Sequence, residues 1–177
     1  MANNLYLKAS VTNPSPGNYI PGTLQLPWNS NSANVDISVD GEVTKTADAN
    51  MWNGGADFKI EKTGNFELHF KLIGDNLTAG IEYFKANSQF NYTGIDMCFY
   101  RSGTNCFIFE NGDNVYYYPS VINDSTQSSI VRQGNFILHK IDGTTVRTQT
   151  IINTGKMFFT CSLYSLGAQV IDINIDL

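Results

Sequence analysis

Two apolar, aromatic-rich runs lie back to back in GIDMCFYRSGTNCFIFENG, from Gly94 to Gly112, hinged on Ser102-Gly103-Thr104 and closed by Asn111-Gly112. Short runs rich in Ile, Phe and Tyr, separated by a brief glycine-containing connection, form β-hairpins. Such apolar strands belong in the core of a β-sandwich. A two-residue turn at Gly103 and Thr104 sets Arg101 opposite Cys106 and Cys98 opposite Phe109. The two thiols then lie on opposite faces and cannot bond to each other.

The rest of the chain from Asn34 onward repeats this theme. Val35, Ile37 and Val39 alternate with Asp36, Ser38 and Asp40, and Asp40-Gly41 is a favoured hairpin turn before Glu42 to Lys45 return. In GNFELHFKL, Phe66, Leu68, Phe70 and Leu72 face one way, while Asn65, Glu67, His69 and Lys71 face the other. Further strands are expected over residues 77–84, 95–101, 105–110, 115–118, 128–132, 135–141, 145–150, 157–164 and 168–177. In the last of these, Ile171, Ile173, Ile175 and Leu177 alternate with acids and Asn. Turns at near-regular intervals, with little helix between them, predict an all-β sandwich rather than βαβ units.

Residues 1–34 differ in kind. Pro14, Pro16, Pro21 and Pro27 alternate there with Asn, Ser and Gly, leaving only short apolar islands. Such a segment cannot build a core alone. It reads as an arm, laid either over its own sandwich or onto a neighbouring subunit, and residues 35–177 read as the domain. Trp28, beside Pro27, is the expected anchor of the arm in a groove.

Composition removes several function classes. Charged residues are 15% of the chain and the net charge is −5, so no basic field gathers nucleic acid or an anionic membrane surface. No signal peptide and no apolar run of membrane-spanning length are visible, so neither export by a standard route nor membrane insertion is expected. The three cysteines, Cys98, Cys106 and Cys161, are odd in number and lack zinc-site spacing. They read as small buried hydrophobes.

Catalysis finds no support. Glycan hydrolysis needs two carboxylates converging on one bond, and Glu67, Glu82 and Glu110 stand on different strands, with Glu110 expected to bond the backbone of its turn. No nucleophile elbow accompanies His69, on a polar face, or His139, which shares a face with Ile137 and Ile141. Asp113, Asn114, Asn123 and Asp124 read as turn residues rather than calcium ligands. No metal and no cofactor is expected. The aromatic residues are the better lead. Tyr116-Tyr117-Tyr118 must place side chains on both faces of a strand. With Tyr83, Phe84, Phe90 and Tyr92 around the loop from Lys85 to Thr93, they offer a platform for sugar rings or a subunit interface. Trp52 is expected to plug the sandwich edge.

Several ordered elements together resemble a concanavalin A-like (lectin/glucanase-type) jelly-roll module, of the type found in bacteriophage virion and bacterial surface proteins. They are Val39-Asp40-Gly41, Trp52-Asn53-Gly54-Gly55-Ala56, the GNFELHF strand leading into Ala79-Gly80-Ile81, Gly94-Ile95-Asp96, Phe109-Glu110-Asn111-Gly112, Asp142-Gly143-Thr144 and Ser162-Leu163-Tyr164. The resemblance covers residues 35–177. It implies two stacked antiparallel sheets, and by itself no activity. The Glu-x-Asp-x-x-Glu strand of glucanases with this fold is missing. The resulting expectation is a non-enzymatic virion component, a capsid decoration or fibre protein made in the host cytoplasm, whose partners are other virion proteins or copies of itself. The alternative is a module that attaches to cell-surface glycan through exposed tyrosines.

Overall fold

The computed structural model describes residues 32–38, 41–60, 64–83, 90–152, 155 and 157–176. The proline-rich arm, Trp28, Val39, Asp40, Phe84 and Leu177 therefore lie outside the described residues, except that Ala33 pairs with Gly55 through two backbone hydrogen bonds of 3.1 and 3.0 Å.

Among the described residues thirteen strands follow in chain order: β1 (Val35–Ile37), β2 (Val43–Lys45), β3 (Gly54–Ile60), β4 (Phe66–Ile73), β5 (Leu77–Glu82), β6 (Met97–Ser102), β7 (Asn105–Glu110), β8 (Asp113–Tyr118), β9 (Gln127–Gln133), β10 (Phe136–Ile141), β11 (Thr144–Thr150), β12 (Met157–Leu163) and β13 (Gln169–Asp176). They form a seven-stranded sheet, β1-β2-β13-β4-β9-β10-β11, and a six-stranded sheet, β3-β12-β5-β6-β7-β8. Every pairing is antiparallel. The chain is an all-β sandwich, as its patterning predicts, and a two-sheet jelly-roll, as the resemblance implies.

The two inner faces meet in one core. Phe70 of β4 packs on Phe99 of β6 and Phe159 of β12, with ring centroids 6.0 and 5.4 Å apart. Alternation in β4 is complete, with Phe66, Leu68, Phe70 and Leu72 buried and their neighbours partly exposed. The β6–β7 hairpin turns through Gly103 and Thr104 in the expected register, Arg101 opposite Cys106 and Cys98 opposite Phe109. All three cysteines are buried free thiols, and burial pushes each up to about 12.

Two departures have physical causes. GGADFKI forms β3 although its glycines and Asp57 disfavour strands. Close packing demands those glycines: a Cβ on Gly55 would sit 2.2 Å from the Cys161 carbonyl oxygen and 2.5 Å from the Phe90 ring. In β13 strict alternation fails at a register shift between Ile171 and Asn174, where Asp172 takes a left-handed φ of 52°. Val170, Ile173 and Ile175 are buried, and Ile171 turns outward. Such a bulge adds a residue to one strand and re-aims the side chains beyond it. Among the described residues no helix is long and apolar enough to cross a membrane.

Candidate functional site: an aromatic face on the six-stranded sheet

Inner-face residues of the six-stranded sheet alternate with a second set that points away from the core. In β6 and β7 that outward set includes Tyr100, Phe107 and Phe109, because Met97, Phe99, Cys106 and Ile108 point inward. Tyr117 of β8 lies opposite Phe107 and so joins them. Tyr164, just past β12, continues the outward side of that strand.

Two loops lay further rings on this face. Asn91 caps a single 3₁₀ turn over Tyr92–Gly94, its Oδ1 accepting from the Thr93 and Gly94 amides at 3.0 Å each, which satisfies end amides as helix caps do. That turn stacks Tyr92 on Tyr100, with centroids 5.5 Å apart and planes 16° from parallel. The loop between β2 and β3 brings Trp52 to within 5.2 Å of Tyr92, 5.8 Å of Tyr100 and 5.3 Å of Tyr164. Phe109 meets Tyr92 and Tyr100 edge-on at 5.3 and 5.7 Å, Phe107 stacks on Tyr100 at 5.9 Å, and Tyr117 lies 5.2 Å from Phe107. Seven rings thus run without a break from Tyr164 to Tyr117. All but Tyr117 are half-buried, and Tyr117 is 51% exposed.

Polar groups line the strip. The Tyr100 hydroxyl and Ser102 Oγ both donate to Asn76 Oδ1, at 3.0 and 3.1 Å. Tyr117 donates to Asn105 Oδ1 at 3.0 Å. Burial raises the Tyr100 pKa above that of a free phenol, so the hydroxyl stays a neutral donor at ordinary pH. Rings with polar rims provide apolar contact area together with hydrogen-bond groups that fix orientation.

The tyrosines singled out by sequence divide between two environments. Tyr92 and Tyr117 belong to the strip. Tyr116 and Tyr118 are partly buried and pack against the core. Tyr83 also packs there, its amide donating to Asp96 Oδ2 at 2.7 Å and its hydroxyl to Met97 Sδ at 3.3 Å. Phe90 is buried over Gly55. Trp52, expected at the sandwich edge, is instead at the centre of the ring cluster. Tyr100, Phe107, Phe109 and Tyr164 also belong to it, although the sequence marked them only as parts of strands and turns and not as binding residues.

The remaining polar side chains hold the fold. Glu110 does not serve its turn: its carboxylate takes two parallel hydrogen bonds of 3.0 Å from Arg147 on the facing sheet, a strong bidentate geometry. Asp124 accepts from Arg101 at 2.7 Å, and Asn123 Oδ1 caps the Ser125 amide at 2.8 Å. On the outer face of the seven-stranded sheet, His69 lies between Ser129 Oγ at 2.8 Å and Asp176 Oδ2 at 3.1 Å. Ser129 is only 1% exposed, and in this trio the buried hydroxyl has the imidazole as its hydrogen-bond partner. That face carries the ion pairs of Lys71 with Asp172 at 2.8 Å and of Lys140 with Glu67 at 3.0 Å, beside the exposed ring of Phe136.

No family model and no curated protein matches the sequence. Solved structures match it in fold. The TRIM65 PSpry domain aligns at 11% identity over 81% of this chain and 88% of that one, with a TM-score of 0.64. The SPRY domain of human HERC1 aligns at 10% identity over 83% and 96%, with a TM-score of 0.62. The exoplasmic/lumenal domain of VIP36, in a Ca2+/Man3GlcNAc-bound form, aligns at 10% identity over 81% of both chains, with a TM-score of 0.53. At such identities the likeness concerns the fold: the chain shares the two-sheet sandwich of SPRY domains and of this lumenal domain. The jelly-roll sandwich implied by the resemblance holds at that level.

Proposed function

We propose that this protein is a non-enzymatic binding module that holds a glycan against the aromatic strip of its six-stranded sheet. The observation that carries the reading is the continuity of the strip, from Tyr164 through Trp52 and Tyr100 to Tyr117. Each pyranose presents a flat C–H face that packs on a ring, and its hydroxyls need donors and acceptors such as Asn76, Asn105 and the tyrosine hydroxyls. A sandwich of the same architecture appears in the sugar-bound VIP36 domain, which makes the fold a suitable carrier.

Calorimetric titration of the full chain with neutral oligosaccharides tests this. Trp52→Ala and Tyr117→Ala are each expected to weaken binding about tenfold or more, about 1.4 kcal/mol. Binding that ignores both substitutions excludes the strip. Display on a bacteriophage particle, in contact with other virion proteins or with copies of itself, belongs to the same proposal and rests on the family resemblance. Many copies on one particle turn weak single-site contacts into avidity, and mass photometry of the full-length chain checks for self-assembly.

A further inference from the structure

We propose that Lys45 is a positioning residue of the aromatic face: its ammonium gathers the loop between β2 and β3 and so fixes where Trp52 lies. Lysine is almost never fully buried, since an ammonium withdrawn from water needs close oxygen partners to offset its desolvation. Lys45 is nevertheless 1% exposed, at the end of β2. Its Nζ donates to the Met51 carbonyl at 3.1 Å and to Asn53 Oδ1. These are the residues on either side of Trp52, so one charge holds the tryptophan's backbone from both directions.

The loop is built around that charge. Asn53 Nδ2 passes the contact on to Asp48 Oδ2 at 3.0 Å, the Asn53 amide donates to the Met51 carbonyl at 3.0 Å, and Asn34 Nδ2 donates to the Asn53 carbonyl at 3.1 Å. Left-handed φ angles of 51° at Asp48 and 61° at Asn50 turn the chain back over the ammonium, in residue types that tolerate them. Gly54 makes room for the lysine stem: a Cβ there would lie 2.4 Å from Lys45 Cδ and 2.8 Å from Nζ. The lysine backbone is itself fixed, its amide donating to the Ala168 carbonyl and its carbonyl accepting from Gly167, each at 3.0 Å. Burial lowers the Lys45 pKa, and the Asp48 carboxylate works against that drop. The ammonium does here what a bound cation does in an oxygen-lined loop, with no exchangeable ion.

Only the consequence for a ligand rests on the proposed glycan function; the loop geometry is testable without one. In the full chain carrying Trp28→Phe, Trp52 is the sole indole. Lys45→Met fills the same space without charge. In that background the folded variant is expected to show Trp52 emission shifted to longer wavelength and more readily quenched by acrylamide, and any oligosaccharide bound by the parent is expected to bind more weakly. Unchanged emission and quenching in folded Lys45→Met would overturn the proposal. So would an equal shift in Lys71→Met, which removes a lysine from the outer face of the seven-stranded sheet. If Lys45→Met does not fold, Asn53→Ala decides in the same way, because it removes the amide that links Lys45 to Asp48. Should the parent bind no oligosaccharide, the glycan reading fails while the Trp52 spectra still decide the role of Lys45.

Discussion

His139 shows how far one side chain can be placed by its neighbours. It shares a face of β10 with Ile137 and Ile141, as alternation predicts, and that face is the core. The imidazole is fully buried, edge-on to Phe99 at 5.2 Å, and neither ring nitrogen has a hydrogen-bond partner among the described residues. Burial, with a smaller contribution from the Arg147 charge, holds its pKa down at about 3, against an ordinary 6.5. Between those values the unfolded chain takes up a proton that the folded chain refuses. The stability from neutral His139 is therefore complete above pH 6.5 and lost progressively as pH falls towards 3, at up to about 1.4 kcal/mol per pH unit. Urea denaturation at pH 7, 5.5 and 4.5 is expected to show a shallower pH dependence in His139→Leu than in the parent; parallel curves would contradict the assignment. The cysteines make a second residue-scale prediction. Burial keeps all three thiols protonated, so a disulfide reagent is expected to leave them unmodified in the native protein and to titrate all of them in urea.

At the scale of elements, most strands were legible: β4 from its clean alternation, the β6–β7 hairpin with its register from two apolar runs about a glycine turn, and β9 to β12 close to where residue pattern alone sets them. β3 was not, because its sequence answers to close packing and not to strand propensity. β13 was legible as a strand but not as a bulged one, since nothing in a run of alternating Ile and Asp announces a left-handed Asp172. Glycines at such contacts give a sharp test. A Cβ at Gly80, in the middle of β5, would lie 2.0 Å from the Met97 carbonyl oxygen and 2.5 Å from Cys98 Cα, both backbone atoms that cannot swing aside. Gly80→Ala is accordingly expected to cost about 3 kcal/mol or more, read as a lower denaturation midpoint. Gly103→Ala, with nothing among the described residues within 4 Å of its Cβ, meets the strain of its φ of 60° and is expected to cost about 1 kcal/mol.

For the whole molecule, the two outer faces divide the surface chemistry. The seven-stranded sheet turns ion pairs outward, including Lys71 with Asp172 and Lys140 with Glu67. The six-stranded sheet turns a continuous run of rings outward, where the seven-stranded sheet exposes the separate ring of Phe136. Sequence pointed to tyrosines as the functional lead, yet it brought together only part of the strip, for two reasons. Both faces of β6 and β7 are apolar, so alternation alone does not say which set is core. Trp52, Tyr92 and Tyr164 lie outside strands, where periodicity is silent and only the folded loops bring them together. Charge adds a constraint on the ligand: with a net charge of −5, the molecule as a whole disfavours an acidic glycan, and neutral sugars are expected to bind better than sialylated ones at low salt. The most direct test of the central claim is NMR chemical-shift mapping of the full chain titrated with a bound neutral oligosaccharide. The largest shifts are expected on Trp52, Tyr92, Tyr100 and Tyr164. Shifts centred instead on Glu67, His69 and Lys71, on the opposite sheet, would contradict it.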